Sequence, residues 1–151
     1  RKSKVPNWYL DLTMIMNYWE GNTRAYHHTA PINMLYGLYA ALDCVLREGL
    51  ENSFARHARM HEQLVHGLEN LGLAMYVQEG FRLPMLNAVT IPERVKDEAK
   101  VRARLLKEHH IEIGAGLGPL AGKIWRIGLM GHTARPENVE RVLGALAECL
   151  D

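Results

Sequence analysis

Cysteine is scarce. The 151 residues hold two, Cys44 and Cys149, far apart and with no CxxC or other metal-ligand spacing. That excludes a disulfide framework and makes a reducing, cytoplasmic setting the expected one. An excess of either charge is missing too. Eighteen basic residues stand against 17 acidic ones, a net charge of +1, so the basic footprint of a nucleic-acid binder or a membrane-surface protein is absent. No apolar run approaches the length of a bilayer span, and no charged segment leads into an apolar h-region. Position 1 is Arg1 rather than Met, which raises the expectation that this is a piece of a longer chain. Lysine is confined to Lys2, Lys4, Lys96, Lys100, Lys107 and Lys123, a restriction that later limits the chemistry. What is plentiful is apolar surface: 48% of the residues are hydrophobic, the content of an ordinary packed globule of one-domain length.

The first half reads as helical. Residues 1–7 are polar and contain Pro6, an exposed connector. Trp8, Leu12, Ile15, Met16 and Trp19 recur at helical spacing until Glu20-Gly21-Asn22 stops them. From Ile32 to Arg47 the chain is nearly all apolar, small or aromatic, a density that predicts a helix buried on most sides. Leu50 to Leu71 is more charged, places Phe54, Ala58, His61, Leu64, Val65 and Leu68 on one face, and ends before Gly72.

The second half changes period. Leu73–Val77 and Leu83–Ile91 read as strands, Asp97–His109 as a helix, Ile111-Glu112-Ile113 and Lys123–Met130 as strands, and Pro136 opens a last helix to Leu150. The order from Leu50 on is α-β-β-α-β-β-α. It predicts an α+β fold with a small, mostly antiparallel sheet and helices on one face.

Four clusters are candidates for chemistry. The loop Gly114–Gly122 contains a formal GxGxxA from Gly116 to Ala121, but Pro119 interrupts it and a strand follows, whereas a dinucleotide fingerprint must open a helix. Its glycines serve a plain β-connection equally well. Past Lys123 at its start, Arg126 is the one charge inside the apolar strand Lys123–Met130, and Gly128 removes a side chain from its face. A buried guanidinium requires an anion, either an internal carboxylate or a ligand's. Tyr26-His27-His28-Thr29 sets hydroxyls at a helix entrance, suited to a phosphate or to simple N-capping by Thr29 with Pro31 in the first turn. His57, His61 and His66 invite a metal reading, yet His61 and His66 are five apart and share no face, and His57 and His61 have no third ligand. No metal is expected. There is no GxSxG, and neither cysteine has a neighbouring base.

Read together, Arg24-Ala25-Tyr26-His27-His28-Thr29-Ala30-Pro31, Glu48-Gly49-Leu50-Glu51-Asn52, Ile111-Glu112-Ile113, Gly116-Leu117-Gly118-Pro119 and Lys123-Ile124-Trp125-Arg126-Ile127-Gly128 resemble the C-terminal part of the alanine-glyoxylate and serine-pyruvate aminotransferases. These are class V, fold-type I enzymes that use pyridoxal phosphate. The resemblance implies that residues 1–48 end the large cofactor-binding domain with its connecting helix, and that 49–151 form the small domain. It implies that Tyr26 and Thr29 contact the cofactor phosphate across a homodimer interface, and that Arg126 binds the carboxylate of the amino-acid or oxo-acid substrate. It also implies transamination between alanine or serine and glyoxylate or pyruvate.

One departure is large. The chemistry needs a Schiff-base lysine in a desolvated setting, and in the family that lysine lies upstream of the matched region. No lysine of this chain has such a setting: Lys2 and Lys4 sit in a connector, Lys96, Lys100 and Lys107 on a charged stretch, and Lys123 beside a loop. No catalytic residue is expected here, and the chain alone should be inactive. The competing reading is a non-catalytic α+β ligand-binding or dimerisation module with Arg126 in a structural salt bridge.

Overall fold

A computed structural model describes residues 3–20, 23 and 25–150. Lys2, the expected Gly21-Asn22 stop and Arg24 lie outside them. The chain divides into two compact units, Arg1–Arg47 and Glu48–Asp151.

In the first unit, α1 spans only Leu12–Met16. The spacing of apolar residues predicted a longer helix, but Asp11 fixes its start: the carboxylate accepts from Thr13 N at 3.1 Å and Met14 N at 3.4 Å, as an N-cap does. Helix α2 then runs Ile32–Glu48. Contrary to the prediction of a helix buried on most sides, none of its residues is buried. Met34, Tyr36, Tyr39 and Leu46 are each more than 70% exposed, at 74%, 71%, 76% and 79%. Apolar density marks a surface suited to being covered, and among the described residues of its own unit none covers it.

The second unit carries the core. Helix α3 spans Leu50–Asn70 and buries Met60, Leu64, Val65 and Leu68, spaced to form one stripe. Strand β1 is Ala74–Met75 and β2 is Leu86–Thr90. Helix α4, Glu98–His109, starts at Asp97, whose carboxylate accepts from Lys100 N at 3.1 Å. It ends at His110 in the left-handed region. Strand β3 is Gly114–Ala115, β4 is Ile124–Gly128, and α5, Pro136–Leu150, buries Val139, Val142, Ala145, Leu146 and Cys149. The third strand was expected at Ile111–Ile113 and lies just after it. Ile111 N is engaged in closing α4, donating to Leu105 O at 3.0 Å, and so is not free to join a ladder.

The four strands pair antiparallel throughout in the order β1-β2-β4-β3. Alternation along β2 and β4 sends Val89, Trp125 and Ile127 into one cluster with Leu64, Leu68, Leu105, Val139 and Leu146 from the helices. The opposite parity puts Ala88 and Gly114 beside Arg126, and Leu86 beside Gly128. The predicted α+β fold, with helices on one face of a small antiparallel sheet, is therefore the one observed. Its other face carries the guanidinium.

Candidate functional site

Arg126 occupies the middle of β4, with Ala88 of β2 on one side and Gly114 of β3 on the other. Its Nε–H donates to Ala115 O at 2.7 Å, which fixes the plane of the fork and leaves the terminal nitrogens directed away from that carbonyl. The small neighbours are a requirement. A Cβ at Gly114 would sit 3.2 Å from Nη2 and 3.4 Å from Cζ and Nε. Among the described residues no carboxylate lies within ion-pair distance of Arg126, whereas Arg56, Arg102 and Arg104 all have one. The internal salt bridge held open by the sequence is absent from the described residues. A half-buried, oriented guanidinium without a carboxylate partner among the described residues, on a face cleared of bulk, has the chemistry to accept a planar anion such as a carboxylate.

The glycine-rich loop next to it is explained by backbone geometry. Gly116 is pressed against the short 3-10 turn Gly118–Leu120, and a Cβ there would fall 1.9 Å from Leu120 O. Gly118 and Gly122 have φ of +53° and +71°, conformations that favour glycine. No helix follows the loop, so the dinucleotide reading stays excluded.

In the first unit the Tyr26 hydroxyl and Thr29 Oγ1 lie 2.6 Å apart, and both residues are exposed. N-capping by Thr29 is not what forms. Helix α2 begins at Ile32, Leu35 N bonds to Pro31 O at 3.0 Å, and the Thr29 hydroxyl pairs with Tyr26 instead. A shallow cleft of about 390 Å³ lies along Thr29–Met34 at the entrance to α2. Two hydroxyls converging beside a helix N-terminus suit the phosphate of a cofactor, through short hydrogen bonds and the positive end of the helix dipole. Arg126 belongs to the other compact unit.

Two of the three candidate histidines, His57 and His61, have other duties. His57 Nε2 accepts from Gly131 N at 2.9 Å while its Nδ1 donates to Ser53 O at 2.7 Å. His61 Nδ1 donates to Asn87 Oδ1 at 2.7 Å. Among the described residues no group of three histidine, cysteine or acidic side chains is placed to hold a metal. Cys149 is buried, and burial pushes its thiol up from the usual value, which makes it a poor nucleophile. Every described lysine is exposed. No helix among the described residues is long and apolar enough to cross a membrane.

Two contributors escaped the sequence reading. Asn87 is fully buried, donates to Pro84 O at 3.3 Å and Ile127 O at 3.4 Å, and was hidden because only its core-facing parity in a strand marks it. Tyr18 holds the backbone of His28 from both sides, its hydroxyl donating to His28 O and accepting from His28 N at 2.9 Å. The helical spacing drew attention to its neighbours Met16 and Trp19 instead.

No protein-family profile matches the chain. Over 142 residues it is 42% identical to the (S)-ureidoglycine–glyoxylate transaminase of Bacillus subtilis, a match covering 94% of this chain and 34% of that protein. It is 40% identical to the alanine–glyoxylate aminotransferase of Felis catus, over 99% of this chain and 37% of that one. The crystal structure of an alanine–glyoxylate aminotransferase from Nostoc sp. superposes with a TM-score of 0.92 at 49% identity, covering 100% of this chain and 40% of the other. The chain is homologous to one portion of the glyoxylate aminotransferases. It spans between 34% and 40% of the length of these three relatives.

Proposed function

We propose that this chain is the C-terminal portion of a pyridoxal-phosphate-dependent aminotransferase, in which residues 1–48 close the large domain and 49–151 form the small domain. The parent transfers an amino group from a small amino acid, alanine or serine, to an oxo acid, glyoxylate or pyruvate. It works in the cytoplasm as a homodimer. The observation that carries this reading is the unpaired Arg126 fork, oriented by Ala115 O on a sheet face cleared by Gly114 and Ala88, in a chain about 40% identical to glyoxylate aminotransferases.

Arg126 binds the substrate carboxylate through two parallel N–H···O bonds and so fixes which way the reacting carbon faces. Tyr26 and Thr29 offer their hydroxyls to the cofactor phosphate of the partner subunit, and their exposure supports a contact made outward. Pyridoxal phosphate, when bound, supplies the electron sink for amino transfer. The amine that anchors it comes from the part of the parent outside this chain, a reading supported by the exposure of every described lysine. The uncovered apolar surface of α2 also supports a larger assembly.

The test is Arg126→Ala in the full-length enzyme. Loss of two charge-assisted hydrogen bonds raises the Michaelis constant for the oxo acid by about a hundredfold or more. The melting temperature moves by less than about 3 °C, because the side chain makes one tertiary hydrogen bond to the fold. A large fall in melting temperature with an unchanged Michaelis constant makes Arg126 a structural residue and refutes the assignment.

A further inference from the structure

The Tyr26–Thr29 pair sits in a loop, residues 25–29, tied by the backbone at its start, where Ala25 N donates to Asn17 O at 3.2 Å, but with no helical or ladder hydrogen bond around the two hydroxyls themselves, which lie 2.6 Å apart. Something else orders it. The Tyr18 hydroxyl closes on both backbone polar groups of His28, one of the two residues between Tyr26 and Thr29. The Tyr18 ring also meets the Tyr26 ring edge-on, with centroids 6.2 Å apart at 74°. On the other side of the loop, His27 stacks on Trp8 with centroids 4.0 Å apart and planes within 20°. The ring of His28 lies 4.6 Å from that of Tyr9. The two imidazoles share a hydrogen bond, Nδ1 to Nδ1 at 2.6 Å. His27 Nε2 is buried with no hydrogen-bond partner among the described residues. Leaving a ring nitrogen unsatisfied is costly, so the stack on Trp8 holds the ring where that cost is incurred.

We infer that Tyr18, with Trp8 under His27, is a positioning element for the phosphate-binding hydroxyls, an inference that rests on the assignment of Tyr26 and Thr29 to the cofactor phosphate. Tyr18 acts through the His28 backbone. It fixes the turn of chain between the two hydroxyls, so that both point to one place before any ligand arrives, and the ordering cost is met in folding instead of in binding. The hydroxyl of Tyr18 is the atom that does this, because the ring alone has nothing to offer a backbone N–H and C=O at once.

The experiment compares two ligands on the full-length apoenzyme, pyridoxal 5′-phosphate and pyridoxal, which lacks the phosphate. Tyr26→Phe serves as the reference variant and loses affinity for the phosphorylated ligand alone. Tyr18→Phe is expected to lose roughly three- to tenfold in affinity for pyridoxal phosphate, the scale of one hydrogen bond, with pyridoxal binding unchanged. Trp8→Leu follows the same pattern and decides the matter if Tyr18→Phe fails to fold. If Tyr26→Phe is selective but the positioning variants weaken both ligands equally, or neither, the inference is overturned while the phosphate assignment stands. If Tyr26→Phe itself is not selective, the phosphate assignment falls and the inference with it.

Discussion

Two glycines two residues apart have opposite consequences when changed. A methyl group on Gly114 presses on the far end of Arg126, a flexible side chain that can move aside. On Gly116 it meets the Leu120 carbonyl, which cannot move without unwinding the turn. Gly114→Ala should therefore leave the unfolding midpoint nearly unchanged and, in the proposed full-length aminotransferase, raise the Michaelis constant for the oxo acid several-fold, because the fork is displaced. Gly116→Ala should lower stability by about 2 kcal/mol or more in denaturant titration. Equal effects of the two changes on stability would mean that Arg126 is packed as tightly as backbone. The sequence displayed the run of glycines but not this division of labour, since which atom a glycine faces is set by strands that arrive from far along the chain.

At the scale of elements, α4 is tied to the sheet through one carboxylate. Glu98 takes both Arg102 Nε at 2.7 Å and Nη2 at 3.1 Å, and also accepts from the Trp125 indole at 3.2 Å. The hydrogen bond from Arg102 holds the Glu98 carboxyl below its ordinary value of 4.5, against the opposing effect of burial. A carboxyl held down in the fold contributes stability that is full above its unfolded value and is lost as pH falls through the lower folded value. Wild-type stability should thus decline with acid below about pH 4.5, and Arg102→Met should flatten that part of the curve in thermal melts across pH 3–6. An unchanged acid limb would place the proton uptake elsewhere. Helices α3 to α5 were legible because their apolar stripes face the core that the same stripes create, although Phe54, read onto the core face of α3, is exposed and Met60 is buried instead. The third strand was misplaced by a few residues because the end of α4 claimed Ile111 N, a contest between two hydrogen-bond partners that no periodicity reports. Arg126 was legible as a lone charge in an apolar strand. Tyr18 was not, since its role depends on meeting His28 ten residues away.

For the whole molecule, the contrast between the units decides behaviour. Among the described residues of Arg1–Arg47 only Asp11 is buried, whereas Glu48–Asp151 holds a continuous core. On α2, Leu35, Tyr39, Leu42 and Leu46 recur at helical spacing with exposures of 47%, 76%, 52% and 79%. Such a stripe is a site for association. The isolated 151-residue chain should self-associate in sedimentation velocity, and the double variant Tyr39→Lys/Leu46→Glu should sediment as a monomer with the unfolding of the second unit unchanged. Continued association of that variant would show that another surface is responsible. The prediction of burial for α2 erred because apolar density in the sequence marks a surface suited to being covered, whereas none of the α2 residues is buried.

The sheet limits the form that this self-association takes. Both of its outer strands, Ala74–Met75 and Gly114–Ala115, are two residues long, too short to offer a visiting chain a ladder of free amides and carbonyls. Fibril growth needs that ladder. Clumping of the isolated 151-residue chain should therefore be a matter of greasy side chains alone: amorphous, silent to thioflavin, and reversed by mild detergent.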